Sequence, residues 1–382
     1  MNNFEYYNPT RIIFGKGTIA KLREHLPEGA KVLVCYGGGS IKKNGVYDQV
    51  IAALEGWEIV EFGGIETNPD YDTLMKAVDL GRETGVDFIL AVGGGSVIDG
   101  AKLIAASIPF KGSPWEIVTE KYKVQFGDPL PLATVLTLPA TGSEMNHTSV
   151  ISHRATDQKL AWRSEAMFPV FSILDPTVTY SLPVKQIRNG IVDAYVHVVE
   201  QYMTYPVNAP LQDRQAEGIL LTLQEIAEKA LQVPPDYDTR ASLMWCATSA
   251  LNKLINKGVP EDWATHLIGH ELTAFYGLAH AESLAVILPH LYRVKLVQKR
   301  EKLLQYSERV WGLDGTDPEA GIGRLEEFFH SLEMPTALTA YGIDPEEAAQ
   351  KVRARFEKRG TILGESRDVT PEVAAEIIRS SQ

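Results

Sequence analysis

The residues best suited to chemistry are three histidines in THLIGHELTAFYGLAH, residues 265–280. His266 and His270 are four residues apart, which places both side chains on one face of a helix. His280 follows Gly277, and glycine commonly ends a helix. Because imidazole binds metal ions and also transfers protons near neutral pH, the segment predicts metal ligands, proton-transfer groups or both. The spacing alone does not say which histidine has which role.

A second pair of chemical groups lies on an apolar stretch, GIVDAYVHVVEQYMT at residues 190–204. A helix that is apolar nearly all round is normally buried. Asp193 and His197 are spaced i, i+4 on it and project from one face. A buried carboxylate needs a charged partner or a metal ion. Together with the three histidines, this pair predicts a donor set suited to iron, zinc or a similar divalent cation.

The alternative for the three histidines is that they are ordinary buried residues. Asp193 and His197 would also form an ordinary buried ion pair. A zincin-type protease is not supported, because Leu267 follows His266 where the HExxH motif requires glutamate.

Two glycine-rich turns follow two predicted strands, KVLVCY (31–36) and DFILAV (87–92). The turns consist of Gly37, Gly38, Gly39 and Ser40, and of Gly93, Gly94, Gly95 and Ser96. Glycine lets a phosphate approach the backbone, and a following helix offers free N–H groups. Neither turn has the G-x-G-x-x-G fingerprint, since Lys42 and Ile98 stand where its last glycine would be. We therefore predict a nucleotide site at these turns. The alternative is that each turn only connects a strand tightly to the next helix and binds no ligand. LPATGSEMN (138–146), which includes Asn146, could line the same crevice.

The type of secondary structure that the sequence predicts changes near residue 180. Before it, short apolar strands alternate with helical periods, which is typical of a parallel sheet with crossover helices. TSVISHRA and KLAWRS could pair as a hairpin. After it the sequence shows helical periods and no convincing strand. We therefore predict an α/β domain over residues 1–180 and an all-helical domain over residues 181–382.

Composition limits the class of protein. At 382 residues the chain is long enough for two domains. Its net charge of −12, with both signs interspersed, argues against nucleic-acid binding. The sequence has no apolar run of membrane-spanning length, and MNNFEYYNPT lacks the features of a signal peptide. Cys35 and Cys246 are predicted to be buried thiols, so we expect a cytoplasmic protein without disulfides.

Taken together, these motifs resemble the iron-containing alcohol dehydrogenase family, which has a dehydroquinate-synthase-like fold. The likeness is greatest to its butanol dehydrogenase and NADPH-dependent aldehyde reductase branch. It extends from NPTRIIFGKGTI through GGGSVID, LPATGSE and DAYVHVVEQY to GHELTAFYGLAH. The resemblance implies a Rossmann-like N-terminal domain, a helical C-terminal domain, and cofactor and metal in the cleft between them. It also implies a homodimer, with the strand in FEYYNPTRIIFG near the subunit contact.

The resemblance further implies roles for single residues. One iron or zinc ion would be held by Asp193, His197, His266 and His280. His270 would face the nicotinamide and substrate, where we expect it to relay a proton. The other cofactor-binding positions would be Gly94, Gly95, Ser96, Asp99, Thr137, Asn146 and Lys159.

The resemblance also indicates the cofactor and the reaction. Gly38, Gly39 and Ser40 stand where NAD-preferring members often carry an acidic residue, so NADP(H) is predicted over NAD(H). Lys42 or Lys43 would neutralise the 2′-phosphate. The expected reaction is metal-dependent hydride transfer between NAD(P)(H) and a small primary alcohol or aldehyde of butanol or butanal size. Aromatic residues, among them Tyr195, Phe275 and Tyr276, would line the substrate cleft.

Three other functions are alternatives to the alcohol dehydrogenase or aldehyde reductase function. A glycerol-type polyol dehydrogenase would keep the fold and change the substrate. A dehydroquinate-synthase-type lyase would need a basic pocket, whereas the segments around Asp193 and His266 are apolar. A non-catalytic metal-binding protein would have a vestigial cleft, which the intact ligand set and cofactor loop argue against.

Overall fold

The computed structural model of the protein describes residues 1–120, 124 and 127–382. The chain forms two compact units, which we call the sheet unit and the helical unit. The sheet unit comprises Tyr7–Pro183 and Val233–Asn252. The helical unit comprises Met1–Tyr6, Val184–Gln232 and Lys253–Gln382. These units differ from the consecutive domains 1–180 and 181–382 expected from the sequence, because a short stretch from each half belongs to the other unit.

All strands in the described part of the chain lie in the sheet unit. In chain order they are β1 (Arg11–Phe14), β2 (Lys31–Tyr36), β3 (Glu58–Phe62), β4 (Phe88–Gly93), β5 (Leu132–Leu136), β6 (Thr148–His153), β7 (Gln158–Arg163) and β8 (Phe171–Leu174). Six of them form one sheet in the order β1-β8-β5-β4-β2-β3, and every neighbouring pair is parallel. β6 and β7 form a separate antiparallel hairpin. The predicted parallel sheet is confirmed.

The helices connect the strands and then form the rest of the chain. They are α1 (Leu22–His25), α2 (Ser40–Lys43), α3 (Val46–Ala53), α4 (Tyr71–Thr84), α5 (Gly95–Ser107), α6 (Pro114–Thr119), α7 (Val184–Tyr202), α8 (Pro210–Ala230), α9 (Tyr237–Ala250), α10 (Ala264–Tyr276), α11 (His280–Val294), α12 (Leu296–Trp311), α13 (Pro318–Ser331), α14 (Pro345–Arg359) and α15 (Pro371–Ser380). Short 3₁₀ segments cover Thr18–Lys21, Ser143–Met145, Arg154–Thr156, Glu165–Met167, Pro176–Ser181 and Leu338–Tyr341. Within the described residues, no helix combines the length and apolar character needed to cross a bilayer.

The core of the sheet unit explains why the central strands have uninterrupted apolar sequences. β4 and β5 are buried along their whole length, since helices cover both faces of a parallel sheet. The sequence prediction missed β3, whose EIVEF sequence places glutamates among apolar residues and lies at one edge of the sheet. Helix α9 completes this core, because Met244 packs in the same buried cluster as β4 and β5 residues.

The helical unit contains α7, α8 and α10–α15. Its first helix, α7, is buried from Gly190 to its end at Tyr202. Helix α10 ends as expected at Gly277, whose φ of 71° is a left-handed conformation that glycine adopts without strain. Helix α11 begins three residues later, at His280. This short link returns the chain so that the start of α11 lies beside α10.

Candidate metal centre and nucleotide loops

Helix α7 carries three polar side chains on one buried face. Asp193, His197 and Glu200 occupy positions i, i+4 and i+7, and each is at most 4% exposed. The surrounding apolar residues explain why the helix is buried. The helix therefore presents two carboxylates and an imidazole within the core of the helical unit.

Helices α10 and α11 contribute the remaining histidines. Gly269 lies at their contact, and a Cβ atom there would be 2.9 Å from Ser283 Oγ. The absence of a side chain lets the two helices approach closely. As a result His266 of α10 and His280 at the start of α11 have ring centroids 5.2 Å apart.

Three imidazole nitrogens converge on one carboxylate oxygen. Asp193 Oδ1 lies 3.6 Å from His197 Nδ1, 3.7 Å from His280 Nε2 and 3.9 Å from His266 Nε2. These distances are too long for hydrogen bonds. The rings of His197 and His266 are also stacked, with centroids 4.6 Å apart.

The spacing of these atoms fits a shared metal ion. Ligand atoms about 2.0–2.1 Å from a tetrahedral zinc ion lie roughly 3.4 Å from one another. Within the described residues, Asp193, His266 and His280 form a group whose ligand atoms all lie within 4.8 Å. His197 is outside that group, although its Nδ1 lies close to Asp193. His266 Nε2 is buried without a hydrogen-bond partner, as expected of a nitrogen whose lone pair is reserved for a cation.

Glu200 supports this arrangement and was not singled out from the sequence. Its carboxylate accepts hydrogen bonds from the backbone N–H of Thr265 (2.7 Å) and of His266 (3.3 Å), and it contacts His266 Nδ1. The other imidazole nitrogen of His266 is therefore the one directed at Asp193. The signal in the sequence was the i+7 spacing from Asp193.

His270 lies beside the group rather than in it. Its ring centroid is 5.3 Å from that of His280 and 6.5 Å from that of His266, and its side chain is buried. The next residue, Glu271, points elsewhere, since its carboxylate pairs with Arg355 (2.8 Å) and Arg359 (2.5 Å).

The turn after β4 is tightly packed against the loop that follows β5. A Cβ atom at Gly95 would lie 2.3 Å from Thr141 Oγ1, and one at Gly94 would lie 3.0 Å from Leu138 Cβ. Glycine is therefore required here by protein packing as well as by any phosphate. Thr137 N–H joins the two loops by donating to Gly93 O (3.0 Å).

A buried lysine organises the same loops, and the sequence analysis missed it. Lys102 Nζ donates to Ser143 O (2.8 Å), Ser143 Oγ (2.7 Å), Thr148 O (2.8 Å) and Asn146 Oδ1 (3.3 Å). Asp99 accepts from Ser143 Oγ (2.6 Å) and from Val150 N–H (2.9 Å). Burial raises the pKa of Asp99, while the charge of Lys102 opposes that rise. The signal was a charged pair at i, i+3 on an otherwise apolar helix.

The turn after β2 is more open. Cβ atoms at Gly38 and Gly39 would meet no other atom within 4 Å. The next helix is only four residues long and carries Lys42 and Lys43 in its last turn. Space for a bulky group therefore exists at this turn, in contrast to the turn after β4.

Two family models match the chain in succession. The model described as iron-containing alcohol dehydrogenase matches residues 9–176, and the C-terminal model of the same family matches residues 188–381. The chain belongs to the iron-containing alcohol dehydrogenase family. It is therefore an oxidoreductase of the alcohol dehydrogenase type, as the motifs predicted.

Relatives of known name include members of the predicted branch. The chain is 53% identical to the NADPH-dependent aldehyde reductase YqhD of Escherichia coli over 388 residues, with 100% of both chains covered. It is 39% identical to the NADH-dependent butanol dehydrogenase B of Clostridium acetobutylicum over 391 residues, again with full coverage. The crystal structure of E. coli YqhD superposes with a TM-score of 0.97 at 52% identity, covering 100% of this chain and 99% of that one.

In this family member, Asp99 and Asn146 both have protein partners. Asn146 Nδ2 donates to Gly142 O (2.8 Å) and Leu251 O (3.2 Å), and its Oδ1 accepts from Thr148 N–H (2.9 Å). Lys159 is buried on β7, and its charge opposes the rise that burial causes in the pKa of Asp99. The structure thus shows these side chains tying the loops together, and their contact with a cofactor stays a prediction.

Lys42 has protein partners at the turn after β2. Its Nζ lies 3.3 Å from Glu61 Oε2 and stacks over the rings of Tyr36 and Tyr47, at 4.8 and 4.5 Å from their centroids. The hydrogen bond from Tyr47 contributes most to holding the pKa of Glu61 below its usual value. The carboxylate of Glu61 therefore offsets part of the charge of Lys42, and contact of Lys42 or Lys43 with a cofactor phosphate stays a prediction.

The predicted role of Tyr195 is wrong. Its ring is completely buried in the helical unit, and its hydroxyl hydrogen-bonds with Tyr306 (2.7 Å) and Gln224 (2.9 Å). Tyr195 is a core residue of the helical unit. Phe275 lies under the guanidinium of Arg355, 3.7 Å from the ring centroid.

Proposed function

We propose that this family member is a metal-dependent, NADPH-preferring reductase of short-chain aldehydes such as butanal, which also oxidises the corresponding primary alcohols. The observation that best supports this proposal is that the ligand atoms of Asp193, His266 and His280 all lie within 4.8 Å of one another in the helical unit. The names of the E. coli and Clostridium relatives support the substrate class.

One divalent ion, iron or zinc, would be held by Asp193, His197, His266 and His280. Bound there, it would polarise the substrate oxygen and stabilise the negative charge that develops on it during hydride transfer. The apolar residues of α7 around Asp193 exclude water, which strengthens electrostatic interactions at the site. Asp193 provides the anionic ligand, and the three imidazoles remain neutral donors.

We assign the proton transfer to His270. Reduction of an aldehyde requires a proton at the product oxygen, and oxidation of the alcohol releases one from it. His270 lies one helical turn beyond His266, with its ring 5.3 Å from that of His280, so it is near the donor set without belonging to the three-residue group. An imidazole exchanges protons efficiently near neutral pH.

The preference for NADPH follows from the turn after β2. Gly38, Gly39 and Ser40 bring no carboxylate to this turn, and the space above the two glycines would accept a 2′-phosphate. Lys43 would supply the opposing charge. Gly94, Gly95 and Ser96 would bind the diphosphate, and the cofactor site would be completed by Asp99, Thr137, Asn146 and Lys159.

We also propose a cytoplasmic homodimer. β1 lies at one edge of the six-stranded sheet, and both Phe14 at its end and Tyr7 before its start are exposed. An exposed strand edge with large apolar side chains favours pairing with another copy. Light scattering coupled to size-exclusion chromatography will test the dimer, and a monomer at micromolar concentration would contradict it.

The function is tested by following NADPH oxidation with butanal, using protein purified without air. We expect turnover that a chelator removes and that iron or zinc restores. NADH should support a lower kcat/KM than NADPH, and Gly38→Asp should narrow or reverse that difference because its carboxylate repels a 2′-phosphate.

The alternatives are separated in the same assay. Glycerol turned over faster than butanol would indicate a polyol dehydrogenase. Cofactor binding without turnover of any short aldehyde would contradict the proposed activity.

A further inference from the structure

Glu200 occupies a buried position between α7 and the first turn of α10. It is 2% exposed, and its Oε1 accepts from Thr265 N–H at 2.7 Å. Its Oε2 accepts from His266 N–H at 3.3 Å and also contacts His266 Nδ1. Both carboxylate oxygens are thus directed at the start of α10.

These contacts determine which nitrogen of His266 carries its proton. The two backbone N–H groups belong to the N-terminal turn of α10, where the helix dipole favours a negative charge. An ionised carboxylate accepts hydrogen bonds and donates none. His266 Nδ1 must therefore be the donor, which leaves the lone pair on Nε2. That nitrogen is buried, has no hydrogen-bond partner and lies 3.9 Å from Asp193 Oδ1.

We propose that Glu200 is the positioning residue that holds His266 in the tautomer and orientation required for metal binding. This inference depends on the proposed function, because it takes His266 to be a metal ligand. A carboxylate behind a ligating imidazole fixes the ring and increases its basicity, and loss of such a partner typically weakens metal binding about 10- to 100-fold. A single face of α7 then supplies both a ligand, Asp193, and the group that orients a second ligand.

The start of α10 does not depend on the Glu200 side chain alone. Asp262 Oδ1 accepts from Ala264 N–H (3.1 Å), and its Oδ2 pairs with Lys299 Nζ (2.7 Å). Lys299 also binds Glu365 (2.9 Å). Burial lowers the pKa of Lys299, but Asp262 and Glu365 outweigh it, so the pKa is raised and the lysine stays charged. The helix start therefore keeps this anchor when Glu200 is changed.

The test compares Glu200→Gln with a matched control, Glu217→Gln. The glutamine keeps a carbonyl oxygen that can accept from Thr265 N–H. Its amide nitrogen is a donor, and facing Nδ1 it favours the proton on Nε2, which blocks metal binding. Glu217 is an equally buried carboxylate of the helical unit, but its partners are Tyr202 (3.0 Å), Arg214 (2.7 Å) and Arg309 (3.3 Å) rather than a histidine.

Binding of Co²⁺ and Zn²⁺ to the metal-free proteins is measured by competition with a chelator, together with the visible spectrum of bound Co²⁺. We expect Glu200→Gln to bind about 10- to 100-fold more weakly with an altered Co²⁺ spectrum. Glu200→Asp, which keeps the charge, should recover part of the affinity, and Glu217→Gln should bind within about twofold of the unchanged protein. Circular dichroism of each metal-free protein verifies the fold.

The outcomes separate this inference from the proposed function. If His266→Ala loses the metal while Glu200→Gln binds it as tightly as the unchanged protein does, the role of Glu200 is refuted and the metal site stands. If the unchanged protein binds no metal, both proposals fail. A further measurement requires no variant: ¹⁵N NMR of the histidine rings in the metal-free protein should show the Nδ1–H form of His266, and the Nε2–H form would overturn the inference.

Discussion

Two groups of buried charged residues differ in how their atoms are spaced. In the sheet unit, Lys102 and Asp99 make hydrogen bonds of 2.6–3.3 Å that close within the protein. In the helical unit, Asp193 Oδ1 faces three imidazole nitrogens at 3.6–3.9 Å. Burial of charge is common to both. The hydrogen bonds of the first group join protein atoms directly, whereas the longer distances in the second fit the metal ion that we propose.

The largest effect is expected from removing a ligand. His266→Ala or His280→Ala should lose the bound metal and reduce kcat/KM at least about 1,000-fold, because the charge that stabilises the developing alkoxide is removed. Metal analysis and NADPH oxidation measure the two losses together.

His330→Ala is the control for these substitutions. His330 is an exposed histidine of the helical unit whose Nε2 contacts Thr336 Oγ1 (3.0 Å). It should keep full metal content and activity. A His266 variant that retains stoichiometric metal would contradict the proposal that the Asp193 group binds the metal ion.

His270→Ala should separate proton transfer from metal binding. We expect kcat to fall about 100-fold or more while the metal remains bound, since a positioned acid–base group contributes about 10²- to 10⁴-fold. Added imidazole should restore part of the activity. Loss of the metal in this variant would make His270 a ligand, and the assignment of His197, His266 and His280 would need revision.

Lys102→Met tests whether the group in the sheet unit is structural. Removing one partner of a buried charged network costs about 3–5 kcal/mol, so we expect the melting temperature to fall by about 10 °C. The KM for NADPH should rise because the loops lose their anchor, and metal content should not change. Lys76→Met, on the exposed side of α4, is the control and should have little effect. A Lys102→Met protein of unchanged stability would refute the structural role.

The smallest effect is expected at Glu144. Burial raises the pKa of Glu144, whose Oε1 accepts from Thr248 Oγ1 (2.5 Å) and whose buried Oε2 has no hydrogen-bond partner. A carboxyl with a raised pKa in the folded state binds its proton more tightly than in the unfolded chain. Stability is therefore lost as the pH rises from the unfolded pKa through the folded one.

Glu144→Gln should consequently raise the melting temperature by about 2 °C at pH 8, with the difference vanishing below about pH 4. Glu55→Gln, at an exposed position, should show no such pH dependence. A Glu144→Gln protein that is less stable than the unchanged protein at pH 8 would mean that the carboxylate contributes favourably when ionised.

The sequence predicted those parts of the fold and site whose pattern lies within a single helix, strand or turn. The strand at 31–36, the hairpin and the end of α10 at Gly277 follow from local apolar patterns and from glycine. Asp193 and His197 stood out because a polar pair interrupts an apolar helix. Glu200 and Lys102 were missed because their partners lie far along the chain, 66 and 41–46 residues away.

Other features depend on which distant residues a helix or side chain packs against. The spacing of apolar residues along the chain does not give that information. The helical pattern of α9 indicated a helix but not that it packs with the sheet. The sequence singled out Asn146 as a cofactor-binding residue but did not indicate that one of its partners is the backbone of Leu251. Lys42 looked like a free cation until Glu61, at the end of β3, was placed beside it.

The place of α9 in the chain has a consequence for biosynthesis. The sheet unit needs Thr248 to pair with Glu144 and the carbonyl of Leu251 to hold Asn146. Both residues are translated after α7 and α8. The ribosome has therefore made two helices of the helical unit before the core of the sheet unit can be completed. A fragment ending at residue 183 should accordingly be expressed as an incomplete, aggregation-prone polypeptide, and a circularly permuted or spliced version carrying residues 233–252 should fold.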